Sequence, residues 1–409
     1  MDVTNVFTVL LAGGKGQRLG PLTKERAKPA VPFGATYRIV DFTLSNCVNS
    51  KLPKILVLVQ YRSRSLAQHV RNGWTQFFNA HKGEFIETLP PQQNLGDRWY
   101  EGTADAVHQN LFAIRDVRPA HVLIVSGDHI YKMDYTRMLQ AHEDNGSDVT
   151  VAAVEVPKED ASSFGILQID ESARIINFQE KPKKPLPTPD DPNFCLASMG
   201  IYVFRTETLY KVLAEDAKDK NSSHDFGKDI LPKMLGKYSA HAFRFIDQNK
   251  KATKYWRDVG TIDAYYEANM DLIAAVPQLD LYDHSWRIWR RATMAPPPKF
   301  VFELKKPKLR TGVAYDSIVA PGCIVSGGVV RRSILSPYVR INSYSLVEDS
   351  ILFQNVQVGR GAKIRRAIID KDVLIPEGMK IGYDDAADRK RFAVSKEGIV
   401  VISKGTKLA

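Results

Sequence analysis

Residues 6–29 read VFTVLLAGGKGQRLGPLTKERAKP, an apolar run that leads into a glycine-rich loop and then into a series of cations. The β-branched and aliphatic residues at 6–11 predict a buried strand. Gly13, Gly14 and Gly16 allow positive φ and leave backbone N–H groups free to face an anion. This stretch therefore predicts a strand that ends in a phosphate-binding loop.

The cations behind the loop strengthen that prediction. Arg18 and Lys28 offer charge-assisted donors to a polyphosphate. The loop matches neither the GxxxxGK[ST] pattern of P-loops nor the GxGxxG of dinucleotide-binding folds. Glycine turns alone are weak evidence, because they also serve as ordinary connections. The glycines together with Arg18, Lys28 and Pro29 indicate a phosphate site of a different class.

Composition is typical of a globular protein. A chain of 409 residues with 44% apolar content can bury one large core and a second, smaller one. No apolar run approaches the roughly 18 residues of a membrane span, and no signal peptide is predicted. The cysteines, Cys47, Cys195 and Cys323, are far apart and form no CxxC motif. We expect reduced thiols in a cytoplasmic protein, with no membrane partner.

The net charge of +11 is unevenly distributed. Residues 1–275 contain 34 Lys and Arg against 33 Asp and Glu, whereas residues 276–409 contain 23 against 13. The basic C-terminal third has no recognisable nucleic-acid-binding motif. We therefore expect small anionic ligands or plain solvation there, and no nucleic-acid partner.

The first 275 residues alternate two kinds of pattern. Strands are predicted at 6–11, 54–59, 121–125, 148–154 and 201–204, and helices at 63–71, 104–116, 135–145 and 207–217. This alternation predicts a Rossmann-like α/β domain with a mixed, mainly parallel sheet covered on both faces. Ligands collect at the carboxyl ends of the strands in such sheets.

An internal repeat of 17 residues begins at Ile318. Three phases, six residues apart, are aliphatic in every copy: Ile318, Leu335, Leu352 and Ile369; Ile324, Ile341, Val358 and Ile375; Val330, Val347, Ile364 and Ile381. Three hexapeptide steps per turn, shortened by one residue, predict a C-terminal left-handed parallel β-helix. Antiparallel strands have period two and would not enforce a spacing of 17. We therefore predict domains at 1–275 and 313–409, joined by a connector at 276–312.

Several polar residues could carry chemistry, but each also has an ordinary structural explanation. Asp128, after an apolar run, could bind Mg²⁺ or cap a following helix. Asp258, beside a glycine, is the candidate second carboxylate. Lys181 could bind a single phosphate or be a solvated surface lysine. Tyr100 could pack on a sugar ring or belong to the core.

Six further motifs extend along the chain: AKPAV at 27–31, WYEGTADA at 99–106, GDHIY at 127–131, EKP at 180–182, ASMGIY at 197–202 and YWRDVGT at 255–261. With the glycine loop, this series resembles the nucleotide-sugar pyrophosphorylases, which join a sugar 1-phosphate to a nucleoside triphosphate. The run NSSHDFGKD at 221–229 resembles the ADP-glucose branch of that family. The resemblance spans nearly the whole chain.

The resemblance implies ATP and glucose 1-phosphate as substrates, Mg²⁺ as cofactor, ADP-glucose for glycogen synthesis as product, and a homotetramer. It assigns catalytic roles to Arg18, Lys28 and Asp128, and the metal to Asp128 and Asp258. The implied nucleotide-binding residues are Leu11, Ala12, Gly13, Gly14, Gly16, Gln60, Gly102, Thr103 and Asp105. The implied residues for glucose 1-phosphate are Tyr100, Gly165, Glu180, Lys181 and Ser198.

The chain departs from its enteric relatives at one position. Where those relatives carry a basic activator-binding residue, this sequence has Glu25, flanked by Lys24 and Arg26. We expect these three residues to contribute to a site for small anionic allosteric effectors, and fructose 1,6-bisphosphate to be a weaker activator.

Three alternatives remain at this point. The enzyme could use another nucleotide or sugar, or the chain could be a non-catalytic regulatory subunit. It could also be an acyltransferase that uses the β-helix, although residues 318–381 contain no histidine to act as a base.

Overall fold

The computed structural model describes residues 2–92, 99–249, 254–301, 303–304 and 310–408. The predicted connector at 276–312 includes residues 302 and 305–309, which lie outside the described residues. No helix in the described part of the chain is long and apolar enough to cross a bilayer.

The N-terminal region contains β1–β13 and α1–α8. The strands are Val6–Leu11, Pro32–Phe33, Tyr37–Arg38, Lys54–Leu58, Phe85–Leu89, His121–Ser126, His129–Tyr131, Val149–Pro157, Gly165–Ile169, Ile175–Glu180, Phe194–Arg205, Ala240–Arg244 and Trp256–Asp258. The α-helices are Ile39–Asn49, Arg64–Gly73, Thr103–Gln109, Leu111–Val117, Tyr135–Asp144, Thr206–Asp216, Leu231–Met234 and Ile262–Met270.

A nine-stranded mixed sheet forms the centre of this region. Seven of its strands follow the order β10-β9-β11-β6-β1-β4-β5. In addition, β8 pairs with β11, and β12 pairs with β8. Strands β6, β1, β4 and β5 are parallel, so their carboxyl ends meet at one edge. The long strand β11 runs antiparallel to β6, β8 and β9. The α/β class predicted from the sequence is confirmed.

Alternate side chains of β1 enter different cores. Leu10 packs in one cluster with Val125 and Trp74. Phe7 packs on the other face with Ile124. All five are almost completely buried. Because a strand's side chains alternate between faces, this pattern confirms that the sheet is covered on both sides.

One helix that was predicted to be continuous is divided in two in the structure. The stretch at 104–116 forms two helices, α3 and α4, which meet at Asn110. Asn110 has φ −113° and ψ 18°, outside helical geometry. Its amide donates to the carbonyl of Ala106 at 2.7 Å and to the hydroxyl of Tyr100 at 2.9 Å. Asparagine competes in this way for backbone groups, and the helix breaks.

The C-terminal region contains β14–β31 and α9. The strands are Lys299–Val301, Glu303–Leu304, Arg310–Thr311, Val313–Tyr315, Ile318–Val319, Ile324–Ser326, Val329–Arg331, Ile334–Leu335, Arg340–Ile341, Leu346–Glu348, Ile351–Leu352, Gln357–Val358, Lys363–Arg365, Ala367–Ile369, Leu374–Ile375, Lys380–Ile381, Ala393–Val394 and Val400–Ile402. Helix α9 is Asp385–Arg391.

Three sheets form the walls of this region. Their orders are β14-β19-β22-β25-β28, β17-β20-β23-β26-β29 and β18-β21-β24-β27-β31-β30. Within each sheet, strands from successive coils pair in parallel. The single exception is β30, which pairs antiparallel to β31. This is the arrangement of the predicted left-handed β-helix.

The predicted register is confirmed except in the first coil. From Leu335 to Ile381, equivalent residues are 17 apart; Leu335 pairs with Leu352, for example, and both are fully buried. After that, Ile369 pairs with Ile402 at a spacing of 33. The first coil is one residue shorter on all three walls, and Ala314 pairs with Val330 on one of them. Val319 pairs with Leu335, and Val325 pairs with Ile341. The prediction that placed Ile318 and Ile324 at those positions is therefore wrong by one residue.

Candidate active site

A cleft of about 1090 Å³ opens at the carboxyl edge of β1, β4 and β6. Most of the predicted site residues line it. They are Leu11, Ala12, Gly13, Gly14, Gly16, Arg18, Lys28, Gln60, Tyr100, Gly102, Thr103, Asp128, Gly165, Glu180, Lys181, Ser198 and Asp258. Asp105, Lys24, Glu25 and Arg26 do not line it.

Hydrogen bonds and close packing hold the glycine loop that follows β1. The N–H of Ala12 donates to the carbonyl of Leu58 at 2.9 Å, which holds the loop against β4. Gly16 has φ +60° in the left-handed region, and its carbonyl accepts from the hydroxyl of Thr23 at 2.8 Å. A Cβ on Gly13 would lie 3.3 Å from the Cβ of Gln60. Glycine therefore allows the chain to turn here and to pass close to Gln60.

Two acidic residues, 130 positions apart, meet across a short ribbon. Strands β7 and β13 pair so that Asp258 lies opposite His129, next to Asp128. Asp128 precedes a strand, so the alternative that it caps a helix is wrong. A carboxylate oxygen of each aspartate and a ring nitrogen of His129 lie within 4.8 Å of one another.

A cation already lies between these carboxylates. The ammonium group of Lys28 is 2.9 Å from Oδ2 of Asp128 and 2.9 Å from Oδ1 of Asp258. Lys28 is buried, with its side chain 8% exposed. The donor set suits a hard divalent cation, because carboxylate oxygens are its preferred protein ligands. Lys28 shows that this position stabilises positive charge.

Neighbouring charges keep both Asp128 and Lys28 ionised. Burial would raise the pKa of Asp128, but the Lys28 ammonium, His129 and hydrogen bonds from Lys28 and Ser126 hold it well below its usual range. Burial would lower the pKa of Lys28, yet Asp128 and Asp258 raise it above its ordinary value. The Asp128 carboxylate is therefore ionised at neutral pH and able to accept a metal.

The other side of the cleft carries Glu180 and Lys181 at the end of β10. Lys181 has φ +45°, and its ammonium lies 2.7 Å from Oε1 of Glu180. A Cβ on Gly165, which pairs with Glu180, would lie 3.0 Å from the Glu180 carboxylate. The Lys181 side chain is 64% exposed, so its charge can reach a ligand in the cleft.

Ser198 reaches the cleft because β11 is irregular. The register against β8 shifts between Ser198 and Tyr202, and Gly200 between them has φ +66°. The N–H of Gly200 donates to the Ser198 hydroxyl at 3.3 Å. Such a bulge re-aims side chains, and Ser198, Gly200 and Tyr202 all line the cleft.

Gln60 and Tyr100 contact each other in the cleft, beside the glycine loop. The Gln60 amide donates to the carbonyl of Tyr100 at 3.4 Å, and Gln60 is 7% exposed. Asp105 supports the loop beside them from behind. Its Oδ2 accepts from the N–H of Glu101 at 2.9 Å and from the Gln109 amide at 2.7 Å. Asp105 thus shapes the loop in this structure and does not face the cleft.

Sequence reasoning missed several residues that line the cleft, namely Phe164, Tyr202, Asp225, Phe226 and Trp256. Four of them, all except Phe164, lie inside quoted motifs, at 197–202, 221–229 and 255–261. Aromatic residues there match a core pattern equally well, so the sequence offered no signal that they face a ligand.

The three expected effector residues lie outside the cleft, towards the β-helix. Arg26 is buried and forms two 3.0 Å hydrogen bonds with Asp370. Glu25 lies 3.5 Å from the ammonium group of Lys404. Lys24 is exposed. Because Asp370 holds both terminal nitrogens of Arg26, this guanidinium is not available to an effector in this arrangement.

The fold and the cleft together define a nucleotidyltransferase that carries a hexapeptide-repeat domain. Residues 7–275 match the family model for nucleotidyl transferases, and residues 296–402 match that of the GlmU-like C-terminal hexapeptide. Members of the nucleotidyl transferase family generally use a divalent metal.

Full-length relatives identify the branch. A glucose-1-phosphate adenylyltransferase of Rhodopirellula baltica is 54% identical over 98% of this chain and 90% of its own length. The protein of the same name from Koribacter versatilis is 52% identical over 97% and 94%. That from Anaeromyxobacter is 50% identical over 99% and 100%. The chain belongs to the glucose-1-phosphate adenylyltransferase family.

Proposed function

We propose that this chain converts ATP and glucose 1-phosphate into ADP-glucose and pyrophosphate, and so supplies the activated glucosyl donor for glycogen synthesis. The observation that carries the proposal is one cleft that holds a glycine phosphate loop, a two-carboxylate cation site and the Glu180–Lys181 pair. The names of the relatives agree with this reaction.

ATP would lie along the glycine loop, with Arg18 on its outer phosphates. The guanidinium of Arg18 lies beside Gly260, where a Cβ would be 2.9 Å from it, and close to the Asp258 carboxylate. The N–H groups after β1 and the Arg18 charge would neutralise the phosphates. Gln60 would face the base, since an amide offers both a donor and an acceptor.

Asp128 and Asp258 would hold Mg²⁺, which neutralises charge on bound phosphates and helps to align them. The contacts of Lys28 suggest what this residue does. Its ammonium donates to both carboxylates. When a metal binds between these carboxylates, the ammonium would move towards the substrate phosphate. Lys28 would then be a catalytic residue that stabilises the phosphate charge.

Glucose 1-phosphate would bind on the opposite wall. Lys181 would hold its phosphate, and Glu180 its sugar hydroxyls, with Gly165, Ser198 and Tyr100 completing the pocket. The phosphate oxygen attacks the α-phosphorus of ATP, the new P–O bond forms, and pyrophosphate leaves with the electrons of the broken bond. The nucleophile is already an anion, so no general base is needed. Positioning and charge neutralisation would supply most of the acceleration.

Regulation and assembly would depend on the C-terminal region. Small phosphorylated metabolites or phosphate would bind between the β-helix and the catalytic region, where Arg38 and Lys371 lie close to Arg26. Their binding would shift the enzyme between less and more active states. The β-helix would also mediate assembly into a homotetramer. We assign catalysis to residues 1–275 and these roles to residues 313–409.

The test is steady-state kinetics with a panel of nucleoside triphosphates and sugar 1-phosphates. We expect turnover with ATP and glucose 1-phosphate, with release of pyrophosphate, and much lower kcat/KM for every other pair. Preference for another pair would move the chain to a different specificity. No turnover with any pair, despite intact binding, would favour a regulatory subunit.

A further inference from the structure

One wall of the cleft carries Gly102 and Thr103, which are predicted to bind the nucleotide, and is called the nucleotide wall. The opposite wall carries Glu180, which is predicted to bind the sugar, and is called the sugar wall. A contact between two loops joins these walls. One loop is residues 101–103, which leads into α3 and includes its first residue. The other is residues 223–227, which lies in the NSSHDFGKD segment that the sequence analysis singled out. The carbonyl of His224 accepts from the N–H of Ala104 at 2.8 Å, at the start of α3.

Gly102 permits this close approach. A Cβ at that position would lie 2.2 Å from the carbonyl oxygen of His224 and 2.4 Å from that of Ser223. Backbone atoms cannot move aside as the end of a side chain can. A side chain at Gly102 would therefore separate the two loops, and the contact depends on a glycine here.

Thr103 makes the second connection. Its hydroxyl donates to Oδ2 of Asp225 at 3.0 Å and accepts from the N–H of Phe226 at 3.0 Å. One residue further on, a Cβ at Gly227 would lie 3.5 Å from the Glu180 carboxylate. Residues 225–227 therefore connect Thr103, which is predicted to bind the nucleotide, with Glu180, which is predicted to bind the sugar.

His224 anchors the loop at 223–227. Its Nδ1 lies 2.6 Å from Oδ2 of Asp216, whose side chain is 4% exposed at the end of α6. The opposite ring nitrogen lies 3.7 Å from the carboxylate of Glu101. His224 has φ +54°, a left-handed conformation that non-glycine residues rarely adopt and that the surrounding contacts must stabilise. The ring thus lies between Asp216 of α6 and Glu101 of the loop at 101–103, and it does not itself line the cleft.

We propose that His224, anchored by Asp216, is a positioning residue that couples the two substrate sites. This inference rests on the proposed function. When ATP orders residues 101–103, the contact through His224 orders residues 223–227, and glucose 1-phosphate then binds to a preformed wall. Because coupling free energy is reciprocal, glucose 1-phosphate strengthens ATP binding by the same factor.

The experiment measures binding of glucose 1-phosphate by calorimetry, with and without α,β-methylene-ATP, which cannot transfer its nucleotidyl group. In the wild-type protein the analogue should raise the affinity roughly 5- to 150-fold, the usual range for coupled sites. In His224→Ala the ratio should fall to about one, although each ligand alone still binds. The kcat should fall more than KM changes, because alignment of the two substrates is lost.

Two further variants separate positioning from folding. His224→Asn keeps an amide near the position of Nδ1 and tolerates left-handed φ, so it should recover much of the ratio. Lys233→Ala is the matched control, because Lys233 contacts the same Asp216 carboxylate at 3.3 Å but touches neither loop. It should leave the ratio unchanged.

The outcomes are distinct. An unchanged ratio in His224→Ala, or no coupling in an active wild-type enzyme, would overturn the inference and leave the proposed function intact. Loss of each single-ligand affinity together with a large drop in Tm would assign His224 a structural role only. Failure of the wild type to form ADP-glucose would instead overturn the proposed function.

Discussion

The guanidinium of Arg26 forms a bidentate salt bridge with the carboxylate of Asp370, across 344 positions of sequence. Both N···O distances are 3.0 Å, and the two side chains are 6% and 1% exposed. Arg26 lies two residues before Lys28, and Asp370 follows β27 of the β-helix. The segment that carries Lys28 into the cleft is therefore fixed directly to the C-terminal region.

Removal of one partner of this pair should be costly. We expect Arg26→Ala to lower the free energy of unfolding by about 3–5 kcal/mol, because the buried carboxylate of Asp370 loses its guanidinium partner. Urea denaturation measures this. The exposed neighbour Lys24 is the control, and Lys24→Ala should cost less than about 0.5 kcal/mol. Equal effects of the two variants would contradict the prediction.

Asp128→Asn tests the metal site. The variant should lower kcat by about two to three orders of magnitude, as expected for the loss of a group that stabilises transition-state charge. Calorimetric Mg²⁺ binding in the presence of ATP should weaken in parallel, while Tm stays near that of the wild type. Near-normal turnover by a folded Asp128→Asn protein would exclude the assignment.

Lys181→Ala tests the sugar phosphate contact. Loss of one charge-assisted contact, worth about 1.5–3 kcal/mol, should raise KM for glucose 1-phosphate by roughly ten- to a hundredfold. KM for ATP should change much less. Lys184, an exposed lysine three residues on, provides the matched control. If KM for both substrates rises equally, the role of Lys181 is structural.

Lys371 should give the proposed effector site a pH dependence. Burial and the guanidinium groups of Arg38 and Arg26 lower its pKa to about 8, against the opposing pull of Asp370 and Asp372. The amine is charged below pH 8 and neutral above it, so affinity for phosphate should fall as pH rises through 8. Kinetics at pH 7 to 9 with added phosphate measure this.

The same titration has two informative variants. Lys371→Arg keeps its charge over this range and should abolish the fall in phosphate affinity. Lys371→Met should bind phosphate weakly at every pH. A wild-type phosphate response that does not vary from pH 7 to 9 would contradict the assignment.

Glu25→Lys tests the departure from the enteric pattern. Glu25 now lies 3.5 Å from the Lys404 ammonium, so the substitution places two cations side by side. We expect a higher apparent affinity for fructose 1,6-bisphosphate, measured as the concentration that gives half-maximal activation. Glu25→Gln, which removes charge without adding a cation, should have a smaller effect. If neither variant changes the response, Glu25 does not contribute to an effector site.

The sequence by itself determined the features that depend on local pattern. The run at 6–11 forms β1 with the predicted bounds, because β-branched and aliphatic residues followed by a glycine turn favour a buried strand. The 17-residue period predicted the β-helix, since each coil buries one residue of each phase at the same level. Gly16 carries the positive φ expected of the loop.

Tertiary structure alone decided which distant residues meet. No local signal pairs Asp128 with Asp258, Arg26 with Asp370, or Gly102 with the carbonyl of His224. Each contact depends on how strands and loops from separate parts of the chain close on one another, and that closure is a property of the packed whole. The one-residue offset at Val319 was also not visible in the pattern, because Ile318 and Val319 are both aliphatic and either could occupy that phase. Sequence thus specified the elements and the chemistry available, and packing selected the pairs that make a site.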